Sequence, residues 1–195
     1  MVEPEQWRVF CAIDCTAEIR EKVSGYIMRL RQRVPEAQAS WTKPDSIHLT
    51  LKFIGDIPSS RIHSLSTAAA LASKGLESFP ISVHGAGVFP TRGQPRVLWL
   101  GIEDLEGKLA ELYRSLEGEC AKVGFNKEPR AFHPHLTLAR LRKPEGARRL
   151  AETHKQIGFE PIEFPALELL VIRSELSSAG SKYTTISRHR FSEGL

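Results

Sequence analysis

His48-Leu49-Thr50-Leu51 and His135-Leu136-Thr137-Leu138 are two copies of one phrase. Read at period 2, each copy sets a histidine and a threonine on one face of a strand and leucines on the other. In the first copy Ile47, Leu49, Leu51 and Phe53 are expected to face a core, leaving His48, Thr50 and Lys52 opposite. In the second, Leu136 and Leu138 face inward and His135 and Thr137 outward. A strand with one apolar and one polar face belongs to a sheet buried on one side. A lone strand histidine is more often structural than catalytic. Two in matching surroundings call for a reason.

The surroundings match as well. Arg8-Val9-Phe10-Cys11-Ala12-Ile13 reads as a strand, and a helix carrying Ile19, Val23, Ile27, Leu30 and Val34 follows it up to Pro35. The first His-Leu-Thr strand comes next, near 47–54. Arg96-Val97-Leu98-Trp99-Leu100-Gly101-Ile102 then repeats the opening strand, and a helix with Leu105, Leu109, Leu112, Leu116 and Val123 runs up to Gly124. The second His-Leu-Thr strand, near 134–140, comes after it. Val9 to His48 and Val97 to His135 differ in length by one position. Such a repeat is an internal duplication. Two copies are too few for a solenoid, so the expectation is a single bilobal domain over residues 1–195. Its class is α+β: two pseudo-two-fold-related lobes of small, mainly antiparallel sheet with outer helices around a central cleft.

Ser59 or Ser60 is expected to cap a helix with Ile62, Leu65, Ala69 and Ala72, and a strand from Phe79 to Phe89 is interrupted by Gly85-Ala86-Gly87. A short helix is expected at Ala147, Leu150 and Ala151, then a strand from Phe164 through Ile172. A turn at Ser177-Ser178-Ala179-Gly180 leads into a last strand from Tyr183 to Phe191.

Composition narrows the field. At 195 residues, 41% hydrophobic and 26% charged, the chain suits a soluble globular protein with a proper core. No apolar run is long enough to span a bilayer, and Met1–Gln6 lack the apolar stretch of a signal peptide. Three cysteines without a C-x-x-C spacing fit a reducing cytoplasm. A net charge of +4 leans mildly toward anionic partners.

Two histidines facing one another across a cleft suit acid–base chemistry at phosphorus. One accepts a proton while the other donates one, on opposite sides of an in-line displacement. Thr50 and Thr137, about 7 Å along the same face, have hydroxyls to offer the non-bridging oxygens.

The doubled phrase resembles the two-histidine phosphoesterase superfamily, and the wider pattern is similar to its RNA 2′,3′-cyclic phosphodiesterase branch, the 2′-5′ RNA ligase family. The resemblance rests on Arg8-Val9-Phe10, His48 to Gly55, Gly87-Val88-Phe89-Pro90, Arg96 to Gly101, Phe132 to Arg140, and Ser174, Gly180 and Tyr183. It implies metal-independent, cofactor-free opening of an RNA 2′,3′-cyclic phosphate to a 2′-phosphate in RNA processing, with 2′-5′ joining as the reverse. His48 and His135 are then catalytic, Thr50, Thr137 and Arg140 bind the phosphate, and Phe53 is a platform for a base. The pseudo-symmetry hides which histidine is acid and which base; the resemblance favours His48 as proton donor and His135 as proton acceptor. Arg140 and Phe53 each lie five residues after their histidine, on the opposite face by strand parity, so a bulge or a strand end is required. The implied partner is RNA with a 2′,3′-cyclic phosphate end, tRNA fragments among the candidates, acted on by a monomer away from membranes.

Other readings stay open. A different 2′-linked substrate, such as a cyclic nucleotide or a 2′-5′ oligonucleotide, would use the same groups, and a non-catalytic RNA-binding module would use the same cleft. His133 and His135 in His-Pro-His allow a metal site, but no third ligand stands at a recognisable spacing. His63, His84, His154 and His189 are expected at the surface, and Gly85-Ala86-Gly87 at a bulge. Trp41, Trp99 and Tyr183 are stacking candidates, with Trp99 better placed in the core. Arg140, Arg142, Lys143, Arg148 and Arg149 form either a solvated face or a track for RNA backbone.

Overall fold

Strand, helix and His-Leu-Thr strand succeed one another twice in the computed structural model, which describes residues 5–177 and 180–193. The elements are β1 (Gln6–Asp14), α1 (Ala17–Arg33), β2 (Ala39–Trp41), β3 (His48–Pro58), α2 (Ile62–Ala72), β4 (Phe79–Phe89), β5 (Val97–Glu103), α3 (Lys108–Lys122), β6 (His135–Leu141), α4 (Ala147–Ile157), β7 (Ile162–Ala166), β8 (Glu168–Ser177) and β9 (Gly180–Arg190). Residues 178 and 179, at the centre of the turn expected before β9, lie outside the described residues.

Local sequence accounts for the helices. Thr16 caps α1, its hydroxyl accepting from the Ile19 amide at 3.4 Å, and Glu18 in the first turn with Arg31 and Arg33 in the last complement the helix dipole. Ile19, Val23, Tyr26, Ile27 and Leu30 form its buried stripe. The alanine-rich face of α2 (Leu65, Ala68, Ala69, Ala72) packs against α3, which buries Leu109, Leu112, Leu116 and Cys120. Leu105 precedes α3 and stands in solvent. Ser59 and Ser60 form a separate 3₁₀ turn, and no side chain caps α2.

The strands make one sheet in the order β7-β4-β5-β6-β3-β1-β8-β9, with β2 added beside β6. The pairs named along this path are antiparallel. Two small separate sheets were the expectation; Leu49 opposite Leu136 instead joins β3 to β6 and makes them one. The fold is α+β. All four helices contribute to a single core on one side of the sheet. The other side carries a smaller apolar patch of Phe10, Ala12, Leu170 and Ile172, with Tyr183 against it.

The two halves of the chain interleave. β4, from the first half, pairs with β5; β8, from the second, pairs with β1. The strand expected from Phe164 to Ile172 is therefore two strands. The chain breaks at exposed Leu167, β7 ending on β4 at one edge while β8 crosses to β1 near the other. Period 2 does not register such a crossing, because both pieces are apolar. Among the described residues no helix is long and apolar enough to cross a membrane. Cys11, Cys15 and Cys120 are buried free thiols, and burial pushes Cys15 up to about 12 and Cys120 up to about 11.

Candidate active site

β3 and β6 place their side chains alike. From each histidine onward, the same alternation of half-buried and buried positions runs for seven residues and ends on an exposed Phe53 or Arg140 with a half-buried residue after it. The register explains it. Ala12 of β1 faces Thr50 and Cys11 faces Lys52, which leaves Leu51 as an extra residue. Trp99 of β5 faces Thr137 and Leu98 faces Ala139, which leaves Leu138 as an extra residue. Equivalent bulges thus stand three residues after each histidine, and each inverts the parity of the residues beyond it. Phe53 pairs with Phe10, and Arg140 with Val97, on the same face as the histidines and threonines. The required bulge exists in both strands.

Lys52 is displaced by the same inversion. Period 2 set it beside His48 and Thr50, but it is buried on the helix side, where its Nζ donates to Glu117 Oε1 at 2.5 Å and to the Asn126 carbonyl at 2.8 Å. Glu117 Oε2 accepts from the Glu128 amide at 2.9 Å. The buried ion pair therefore ties α3 to the loop that walls the site.

Both histidines are fixed in the same way. His48 Nδ1 lies 2.8 Å from the Ser46 carbonyl, and His135 Nδ1 lies 2.6 Å from the His133 carbonyl. A carbonyl only accepts, so each Nδ1 carries the hydrogen and each neutral ring keeps Nε2 as its basic nitrogen. The Thr50 hydroxyl, 3.0 Å from His48 Nε2, donates to it. The antiparallel register about Leu49 and Leu136 sets His48 across from Thr137 and Thr50 across from His135. The His48 ring stacks on Phe10, centroids 4.8 Å apart, and meets Tyr183 edge-on at 5.3 Å. His135 lies edge-on to Phe89 at 5.3 Å and tilted to Trp99 at 6.1 Å.

Burial pulls His48 down to about 4, against the hydrogen bond to Ser46 and the carboxylate of Asp14, its partner on β1. Arg20, which ion-pairs with Asp14, and His135 push His48 further down. Burial also lowers His135; its bond to the His133 carbonyl opposes this, while Arg140 and His133 add to it. The charge with the largest effect differs in sign between the two rings, although at His48 Arg20 and His135 oppose it. Asp14 favours a cation at His48, and Arg140 disfavours one at His135.

Thr50, Phe53, His135, Thr137 and Arg140 line a cavity of about 500 Å³. Its outer wall includes Tyr113 and Phe132, stacked with centroids 4.1 Å apart, and Glu128, whose carboxyl the Arg130 guanidinium holds down at about 2. Phe53, 61% exposed, presents its ring there. Anion-binding donors, the His135 imidazole and an aromatic platform thus converge on one hollow, an arrangement suited to a phosphate ester carrying a base. His48 is not among the residues lining it and reaches its edge through Thr50, whose hydroxyl meets His48 Nε2.

Other candidates fall elsewhere. Trp41 lines a separate hollow with Met28 and Arg31. Trp99 is half-buried on the histidine face, not in the core, and its buried Nε1 has no acceptor among the described residues. His154 is wholly buried, contrary to expectation, with Nδ1 2.8 Å from the Tyr26 hydroxyl and Nε2 3.0 Å from the Trp99 carbonyl. Its place in the buried stripe of α4, four residues after Leu150, was the available signal. His63 is exposed, His84 is half-buried on β4, and His189 is half-buried with Nε2 3.0 Å from Ser187 Oγ. The glycine stretch on β4 is a bulge at Gly85. Among the described residues no three His, Cys, Asp or Glu side chains are grouped to hold a metal ion. Phe10 and Asp14 were missed, although alternation from Val9 puts both on the face of His48.

The family described as LigT like Phosphoesterase matches residues 13–99 and again 100–183. The RNA 2′,3′-cyclic phosphodiesterase of Methanothermobacter thermautotrophicus is 36% identical over 184 residues, covering 94% of this chain and 98% of that protein. The protein of the same name from Thermotoga maritima is 32% identical over 189 residues, covering 96% and 97%. In solved structures, Escherichia coli LigT complexed with 3′-AMP superposes with a TM-score of 0.75 at 26% identity, over 97% of this chain and all of that one. TT0787 of Thermus thermophilus shares the fold, with a TM-score of 0.80 at 24% identity over 96% of this chain and 100% of that one.

Proposed function

The chain belongs to the LigT-like phosphoesterase family, and on that premise we propose that it hydrolyses RNA 2′,3′-cyclic phosphate ends to 2′-phosphates by acid–base catalysis between His48 and His135. The observation that carries this reading is the equivalence of the two His-x-Thr strands: each histidine has its Nδ1 on the carbonyl two residues before it, and a bulge three residues after it brings Phe53 or Arg140 onto the same face. Relatives named RNA 2′,3′-cyclic phosphodiesterase support the substrate class. The two family matches, one in each half, support reading residues 1–195 as one bilobal domain.

In the forward reaction, a water oxygen attacks phosphorus and His135 takes its proton at Nε2. The bond from phosphorus to the 3′ oxygen breaks, and His48 returns a proton to that oxygen. Thr50, Thr137 and Arg140 donate to the non-bridging oxygens as charge builds there. Each histidine contributes roughly 10²- to 10⁴-fold. Asp14 supports His48 as the donor, because it favours the imidazolium that burial opposes; the bound phosphate supplies the remaining negative charge. An alcohol in place of water, a 5′-hydroxyl, would give a 2′–5′ linkage through the same groups. Every proton transfer is assigned to a side chain, so no metal is required.

Incubation with a nucleoside 2′,3′-cyclic phosphate in the presence of EDTA, read by phosphorus NMR, tests the reading. The expected product is the nucleoside 2′-phosphate. A 3′-phosphate product, or loss of activity restored by a divalent cation, would overturn it.

A further inference from the structure

On the far side of His135 from the threonines lies a second cavity of about 340 Å³, sharing His135, His133 and Phe89 with the first. A glycine opens it. His84 of β4, Gly101 of β5 and His135 of β6 form one row across three strands, and the middle position carries no side chain. A Cβ at Gly101 would stand 3.0 Å from the His84 carbonyl oxygen, 3.6 Å from the Trp99 ring and 3.9 Å from His84 Nε2, so any larger side chain there enters the hollow. A second glycine fixes the wall. The Trp99 indole lies against Gly87 so closely that a Cβ there would be 2.1 Å from the ring. No lysine or arginine lines this cavity among the described residues; its walls are the rings of Trp99, Phe89, His84 and His133. The corresponding place beside His48 is filled, with Asp14 in the position of Gly101 and Phe10, Leu170 and Tyr183 packed together.

We infer that this cavity is a subsite for a second nucleobase, which stacks on Trp99 while the cyclic phosphate occupies the site on the other side of His135. Its lining favours this class of ligand. Aromatic faces without cationic side chains suit a flat neutral ring better than a phosphate, and the volume is within the range of small-ligand pockets. The inference rests on the phosphodiesterase reading. The second base has two possible sources: the nucleotide preceding the cyclic end on the same strand, or the nucleoside of a strand presenting a 5′-hydroxyl to phosphorus.

The test compares KM for a dinucleotide and a mononucleotide that both end in a 2′,3′-cyclic phosphate. One stacked base lowers KM of the dinucleotide by about tenfold if the base comes from the same strand. If it comes from an incoming strand, the two KM values agree, and adenosine added with the mononucleotide yields a 2′–5′ dinucleoside phosphate at a rate that saturates with adenosine. In either case Trp99→Leu abolishes the effect and His84→Ala weakens it. His84 has a 42% exposed side chain, so that variant keeps its fold and decides the matter should Trp99→Leu not fold. Equal KM values without saturable adenosine transfer, or an effect unchanged in both variants, would overturn the subsite alone. If the wild type opens neither substrate, the phosphodiesterase reading falls, and titration of the His84 and His133 ring signals with adenosine then decides the subsite.

Discussion

Leu49 of β3 and Leu136 of β6 stand opposite each other in the pairing that joins the two halves of the sheet, and both are wholly buried. Their neighbours on either side are the two histidines and the two threonines. One apolar contact therefore sets the distance between the groups that share a substrate. Leu136→Ala should lower stability by about 2–5 kcal/mol, measured by urea unfolding, as a cavity opens in the core. It should also reduce kcat/KM although it touches no substrate. A loss of stability with unchanged kcat/KM would show that the seam does not position the site.

The doubled phrase made the α+β class and the pairing of His-x-Thr strands legible, because leucines alternating with polar residues leave one reading of the face. Legibility ended at Leu51 and Leu138. A bulge of one extra residue leaves no mark in an apolar run, so strand parity alone puts Lys52 on the histidine face and Phe53 toward the core, the reverse of where they stand, and only the resemblance points to Phe53 as a platform. The exchange of β4 and β8 between halves was hidden for a different reason. Strand partners are set by long-range packing, and the Phe164–Ile172 stretch reads the same whether it is one strand or two. His154 was misplaced because an isolated histidine in a basic helix is ordinarily solvated; its partners, Tyr26 and the Trp99 carbonyl, come from elsewhere in the chain.

Lys52 should behave as a structural residue. Lys52→Met leaves the Glu117 carboxylate buried without its cation and should cost about 3–5 kcal/mol. Pairing it with Glu117→Leu should recover much of that loss. Urea midpoints of the two single variants and the double variant measure the coupling. Additive losses would mean that the pair does not act as a unit.

The histidines predict the pH behaviour. Burial holds His48 down to about 4 and lowers His135. Between about pH 6.5 and 4 the unfolded chain therefore binds more protons than the folded one. The stability these groups contribute is whole above pH 6.5 and is lost as the medium is acidified through that window. For turnover, one ring must be charged and the other neutral, so kcat/KM is bell-shaped with its optimum below about pH 6.5. The bound phosphate anion favours the imidazolium, so the kcat optimum lies at higher pH. Coincident optima above pH 7 would contradict this.

The basic run should matter only for long substrates. Arg142 Nε donates to Ser40 Oγ at 2.5 Å and Arg149 ion-pairs with Glu36 at 2.8 Å, while Lys143 and Arg148 are exposed. Each phosphate these side chains neutralise adds about 0.7 to the log–log salt slope for a single strand. Replacing Arg142, Lys143, Arg148 and Arg149 with glutamine should flatten the slope of KM for a cyclic-phosphate oligonucleotide and leave that of a mononucleotide alone. Arg140→Gln should impair both substrates, since Arg140 lines the phosphate cavity. Equal slopes for long and short substrates would mark the run as a solvated face.

The most direct measurement is the turnover of His48→Ala and His135→Ala on a nucleoside 2′,3′-cyclic phosphate, with Thr50→Ala and Thr137→Ala beside them. Removing a proton donor or acceptor acts on the chemical step, so each histidine variant should lose several orders of magnitude in kcat while KM stays within about tenfold. The threonine variants should lose less, about 10- to 1000-fold, as charge-stabilising donors. Near wild-type kcat in either histidine variant would contradict catalysis by the pair.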